Sequence, residues 1–295
     1  MTVMTDHGQG WMIPGWLTEN LDQFLYPPYG REWWSVRALI TPPQMLQLRE
    51  RHETRLDPDH AHAMPTLIGE AIGWFLPTMA HVPPGEPLTN VSHETPQGRI
   101  MGTIHYLTED GDLWNFHLVS TWRWINGQYQ DWEAELNVLR WLAMLNGRAA
   151  RRLHACVYFT DWRPNRQRKY SRYPASPARV IEFPLWSDDK VSRWVEVRIK
   201  AHLAALDSSD EDLPSCTDDE RWEINPQWAV TAPGRRRALF VGQTYTQAQE
   251  YIQVKAAARE ADIEKRTGYY VRCQSGFCAA APVCPQLRRE GRAAL

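Results

Sequence analysis

Residues 102–120, GTIHYLTEDGDLWNFHLVS, read as two strands joined by a tight turn at Asp110-Gly111. The length of that turn decides which side chains share a face. A two-residue loop sets His105 opposite Phe116 and puts Asn115 and His117 on the other face. A three-residue loop, Glu109-Asp110-Gly111 with a left-handed glycine, pairs His105 with Asn115 and Thr103 with His117. The second register gathers the polar side chains on one face and leaves Ile104, Tyr106 and Phe116 for the other. It is the expected one.

The segments around this hairpin alternate in type. PPQMLQLRERH opens a helix behind proline, with Met45, Leu46 and Leu48 on its apolar face. Residues 65–76 repeat Leu67, Ile68, Ala71, Ile72 and Phe75 at helical spacing, and 81–90, HVPPGEPLTN, read as a loop. Residues 130–147 form the clearest helix, with Trp132, Leu136, Leu139 and Ala143 in its stripe, Asp131 as cap and Gly147 as stop. Strands are expected at 152–162 and 179–186, then a helix at 187–206 behind a serine cap with acid in its first turn. RRRALFVG is strand-like, and the capping-box pattern Thr246 to Gln249 opens a long helix to about Lys265. This order predicts an α/β fold with a mixed central sheet flanked by helices.

The 295 residues suffice for one large domain or two modest ones. No apolar run reaches the roughly 18 to 20 residues that cross a bilayer, and the first residues lack the basic start and apolar stretch of a signal peptide. The expectation is a cytoplasmic protein with no membrane partner. Net charge is −2, so bulk charge does not announce a nucleic-acid binder. Its distribution is uneven: Arg163, Arg166, Arg168, Lys169 and Arg172 crowd one stretch, and Arg235, Arg236 and Arg237 another, while acid collects at 207–220. Two basic clusters on a neutral chain point to phosphate contacts, and Tyr170 and Tyr173 among the arginines are candidates for base stacking.

Five cysteines are present. Cys273, Cys278 and Cys284 lie together near the C-terminus, Cys216 lies upstream, and Cys156 sits in an apolar strand as a buried thiol. Four thiolates close a tetrahedral zinc site or hold an iron–sulfur cluster. Disulfides compete, and a reducing compartment disfavours them.

Together, SVRALITPPQMLQLRERH, GTIHYL, STWRW, WEAELNVLRWL, TDWRPNRQRKYSRYP, FPLWSDDKV, LPSCTDDERW, GRRRALFV and CQSGFCAAAPVCPQ resemble the phage and bacterial RecB-like nucleases of the PD-(D/E)xK superfamily. The likeness runs from about Trp34 to Gln286. It implies a restriction-endonuclease-like core over residues 35–206, after an irregular segment 1–34, with a C-terminal extension over 207–295. It also implies a [4Fe–4S] cluster on Cys216, Cys273, Cys278 and Cys284, with zinc as the alternative.

The catalytic positions do not carry over. Where the family holds divalent metal with two acids, this chain has His105 and Asn115, with His117 for the lysine and Gly73 for the helix histidine. Mg²⁺ prefers carboxylate and water oxygens, so this set leaves it no place. Without the metal nothing activates the attacking water. The expectation is a degenerate nuclease that binds DNA ends or single strands in recombination, replication or defence without cutting them. Two other readings stand beside it. One is a partner subunit in a DNA-processing complex, met through Trp11, Trp16, Trp33 and Trp34. The other is an active exonuclease with a substituted site, in which His105, His117 and Glu94 hold a softer metal. A different register would offer Asp110 or Asp112 as ligands.

Overall fold

The protein is described by a computed structural model covering residues 30–52, 68, 71, 75, 83–167, 172–255 and 260–291. It divides into two compact units, Met1–Pro214 and Ser215–Leu295.

The first unit is built on a six-stranded mixed sheet. Its strands are β1 (Trp33–Ser35), β2 (Gly85–Thr95), β3 (Gly98–Thr108), β4 (Asp112–Val119), β5 (Arg152–Phe159) and β6 (Ala178–Phe183), ordered β1-β3-β4-β5-β6 with β2 also paired to β3. β1 runs parallel to β3, β4 parallel to β5, and the other pairs are antiparallel. The parallel β4–β5 pair needs a crossover, which α4 (Gln130–Leu145) supplies after the short α3 (Thr121–Ile125). α1 (Val36–Ile40), α2 (Pro43–Arg51) and α6 (Asp188–Leu206) complete the helices that matter here, with the single turn α5 (Pro164–Gln167) after β5. Trp132, Leu136, Leu139 and Leu142 of α4 bury against Ile100, Ile104, Leu113, Leu153 and Val157 of the sheet. The stripe that predicted this helix is therefore its core face.

Local chemistry explains the boundaries. Ser187 caps α6 by accepting the Lys190 N–H at 3.3 Å. Asp131 does not cap α4 as expected. Tyr129 holds the cap position, while Asp131 sits in the first turn and pairs with Arg123. Gly147, at φ +74°, ends the helix, and the Arg148 N–H reaches back to the Ala143 carbonyl at 2.9 Å.

Three expectations need correction. Residues 85–95 form strand β2 rather than the loop expected over 81–90. Proline is tolerated there because β2 pairs with β3 alone and needs no second ladder. The irregular segment expected to 34 gives way to β1 at Trp33, and residues 1–29 lie outside the described residues. Of the expected helix at 65–76, Ile68, Ala71 and Phe75 are helical, while Gly73 lies outside the described residues.

The second unit carries a three-stranded antiparallel sheet, β10 (Asp262–Arg266), β8 (Gln227–Thr231) and β9 (Phe240–Gly242), and a small hairpin of β7 (Glu223–Ile224) with β11 (Tyr269–Tyr270). Its helices include α7 (Tyr245–Lys255), α8 (Val271–Gln274) and α9 (Pro285–Arg289). The long helix expected to Lys265 ends at Lys255, and residues 262–266 are strand. Its capping box lies two residues earlier than expected. Thr244 Oγ1 accepts the Gln247 N–H at 3.2 Å, and Gln247 Oε1 accepts the Gln243 N–H at 2.8 Å. Among the described residues no helix is long and apolar enough to cross a membrane.

Candidate functional site

The β3–β4 hairpin adopts the three-residue loop. Tyr106 pairs with Trp114 and Leu107 with Leu113, and Gly111 takes φ +89°. The Asp112 N–H donates to Thr108 Oγ1 at 2.8 Å, which closes the turn. The ladder then stops. Beyond Tyr106 the edge of β3 is free until β1 takes it at Arg99–Met101, so Thr103 and His117 do not pair as expected.

Side chains fill the gap. The His105 N–H donates to Asn115 Oδ1 at 3.1 Å, and the Phe116 N–H donates to His105 Nδ1 at 3.0 Å. Both residues are buried, His105 at 6% and Asn115 at 1% exposure. Each side chain thus supplies the acceptor that the missing ladder would have supplied. The ring of His105 stacks parallel to Phe116 at 5.8 Å.

Glu135, on α4, is the carboxylate of this site and was not anticipated. Its Oε1 lies 3.4 Å from Asn115 Nδ2, and its Oε2 lies 3.9 Å from His117 Nε2. The signal was available: Glu135 falls between Trp132 and Leu139 at i+3 and i−4, a charge inside an apolar stripe. His117 stacks on Trp132 at 4.7 Å. Burial above all, then the positive charges of Arg123, His105 and Arg37, hold its pKa well below the ordinary imidazole value.

A cavity of about 500 Å³ opens beside His105 and Glu135, walled by Arg37, Asn90, Met101 and Leu139 among others. Gly102 forms part of its floor. A Cβ there would stand 2.5 Å from Leu139 Cδ2 and 2.9 Å from Val36 Cγ2, so α1 and α4 close over this strand only above a glycine.

Glu94 does not belong to the site. The β2–β3 register sets it opposite Arg99, with which it pairs at the surface. Asp112 is bound by Arg152 at 2.9 Å, and Asp110 stays in the turn, so the alternative register is not adopted. Among the described residues no group of three or more His, Cys, Asp or Glu is placed to hold a single metal ion.

The basic stretch after β5 is partly described. Arg163, Arg166 and Arg172 are exposed, while Arg168, Lys169 and Tyr170 lie outside the described residues. Tyr173 is no stacking platform. It is buried, its hydroxyl accepting the Arg163 N–H at 2.8 Å and donating to the Asp161 carbonyl at 3.3 Å. Its role is to pin the segment that presents Arg163. Arg235, Arg236 and Arg237 are exposed on the β8–β9 loop of the second unit.

Four of the five cysteines meet in the second unit, and no disulfide joins any of the five. Burial, Glu220, and the nearby Cys278, Cys273 and Cys284 push the Cys216 thiol well up. Burial pushes Cys278 up to about 11, with Arg272 pulling the other way. The four thiols are therefore close enough to feel one another's charge. Gln286 clamps the main chain of Cys216 from both sides, accepting its N–H at 2.9 Å and donating to its carbonyl at 3.1 Å. Cys156 stands apart on β5, its thiol raised by burial.

No family model matches this chain. No curated protein matches it either. Among solved structures, the chain is similar to one described as the crystal structure of SSO0001, with a TM-score of 0.43 and 12% identity, over 62% of this chain and 83% of that one. A likeness at that level says nothing of function, which has to be read from the residues themselves.

Proposed function

We propose that this chain is a degenerate nuclease of the RecB-like kind, which binds DNA ends or single strands and does not cut them. The observation that carries the reading is the use made of His105 and Asn115. They occupy the positions where the resemblance calls for metal-binding acids, at the point where β3 and β4 part. Their candidate ligand atoms, Nδ1 and Oδ1, are occupied by main-chain N–H groups. One carboxylate, Glu135, remains beside them, and it lies within reach of Asn115 and His117. Mg²⁺ wants several oxygen ligands, and a single carboxylate does not supply them.

DNA contact then falls to the exposed arginines. Arg163 and Arg166 extend from a segment anchored by Tyr173 and by Trp162, whose indole donates to the Pro174 carbonyl at 2.9 Å. A rigid base under a basic surface loop suits backbone phosphates.

In the second unit the same reading assigns an iron–sulfur cluster to Cys216, Cys273, Cys278 and Cys284. The donor set fits such a group. Four mutually coupled thiols are gathered there, and Arg272 Nε, a buried donor close by, has no hydrogen-bond acceptor among the described residues. The cluster would tie the tail to the Cys216 segment, closing a long loop.

The test is binding of single-stranded and end-labelled duplex DNA across a salt series, with a parallel time course in Mg²⁺, Mn²⁺ and Zn²⁺. The reading expects salt-sensitive retention, no cleavage, and weaker binding once Arg163, Arg166 and Arg172 are changed to glutamine. Unchanged affinity in that variant would remove those residues from the interface.

A further inference from the structure

The second unit buries two guanidinium groups against the cysteines. Arg221 is 3% exposed. Its Nη1 and Nη2 donate to Glu290 Oε1 and Oε2 at 2.8 and 2.6 Å, and its plane lies 3.5 Å from the Tyr270 ring centre. It also bonds the Cys273 thiol. Glu290 therefore answers the charge of Arg221.

Arg272 is different. Its guanidinium sits 4.9 Å from the Trp222 ring centre, and Nη1 donates to the Glu220 carbonyl at 2.9 Å. No carboxylate pairs with it among the described residues, and its Nε is buried without an acceptor. Its positive charge bears on Cys278 and on Cys273. A buried cation with an unspent donor calls for an anion beside it. Pinning the fold explains the fork between Arg221 and Glu290, but it leaves the Nε of Arg272 unexplained.

We infer that Arg221 and Arg272 are positioning residues that raise the reduction potential of a cluster held by Cys216, Cys273, Cys278 and Cys284, fitting it to accept one electron rather than only to staple the tail. The inference rests on the cluster reading above. Its physics is charge balance. Four thiolates already make the site anionic, and reduction adds one more negative charge in a dry environment. Hydrogen bonds from guanidinium groups to ligand sulfur offset that added charge and favour the reduced state. The electron comes from an external one-electron donor, no bond forms or breaks, and no proton needs to move.

The experiment uses the full chain purified without oxygen. Iron and sulfide are quantified first, and the cluster is then titrated with dithionite in the presence of mediators, followed by absorbance and electron paramagnetic resonance. Arg272→Gln and Arg221→Gln are expected to bind the cluster with midpoint potentials more negative than that of the parent. Arg272→Lys, which keeps the charge and loses the fork, is expected to fall between. Unchanged or more positive potentials in both glutamine variants would overturn the inference while leaving the cluster in place. Loss of the cluster from both would overturn it too, by making the arginines structural. Arg221→Gln disturbs the Glu290 contact, so if that variant fails to fold, Arg272→Gln decides alone. A parent protein without iron and sulfide would instead bring down the cluster reading itself.

Discussion

The carboxamide oxygen of Asn115 accepts the main-chain N–H of His105 at 3.1 Å, across a gap where the β3–β4 ladder has ended. His105 closes the other half of the gap by accepting the N–H of Phe116 at 3.0 Å. Two side chains thus do the work of main-chain pairing at the one place where the hairpin opens toward α4. The polar residues on this hairpin are structural acceptors first, and that use leaves little for a metal.

Truncating Asn115 tests the structural half of this statement. Asn115→Ala leaves the His105 N–H buried without its acceptor, and the expected loss is about 1–3 kcal/mol of stability in urea unfolding. Asn115→Ser, which keeps an oxygen but shortens the reach, should lie between it and the parent. A loss within experimental error for the alanine variant would mean that water or Glu135 replaces the contact.

Restoring acids tests the chemical half. The double variant His105→Asp/Asn115→Asp sets new carboxylates near Glu135, whose Oε1 now lies 3.4 Å from Asn115 Nδ2. Without metal, like charges at that separation should lower its melting temperature below the parent's. Adding Mg²⁺ should raise the melting temperature of the variant and leave that of the parent unchanged.

His117 gives the first unit a pH dependence with a definite sign. Burial, then the charges of Arg123, His105 and Arg37, hold its pKa well below the ordinary 6.5. The unfolded chain therefore takes up a proton that the folded chain refuses. Stability from this group is full above the ordinary value and falls as pH drops toward the folded pKa, at up to about 1.4 kcal/mol per pH unit. Urea midpoints of the parent should drop between about pH 7 and about pH 5 by more than those of His117→Leu. Equal drops would assign the acid sensitivity to other groups.

Removing one thiol tests the second unit. Cys278→Ala should lose visible colour, bound iron and soluble yield together, because the tail is then no longer tied near Cys216. Cys156→Ala, away on β5, should lose none of them.

Much of this fold could be read from the chain. Asp110-Gly111 between alternating residues fixed the hairpin loop, and the Trp132–Leu136–Leu139 stripe located α4, because both signals are local. β2 was hidden because Pro83, Pro84 and Pro87 announce a turn, and only its partner β3 makes it a strand. β10 was absorbed into a helix for the same reason, since its pairing with β8 spans a long stretch of chain. Glu135, Arg221 and Arg272 were missed as site residues. Each gains its role from neighbours distant in sequence, and only Glu135 left a local trace, as a charge in an apolar stripe.

The most direct test of the central claim is a time course on labelled linear DNA with saturating Mg²⁺ or Mn²⁺, run on protein already shown to retain that DNA at low salt. The account predicts intact DNA throughout, and a binding constant whose logarithm falls with the logarithm of salt concentration, with a slope shallower by roughly 0.7–0.9 for each phosphate-contacting arginine removed at 163, 166 or 172. Metal-dependent cleavage that disappears in His105→Ala/His117→Ala would contradict it.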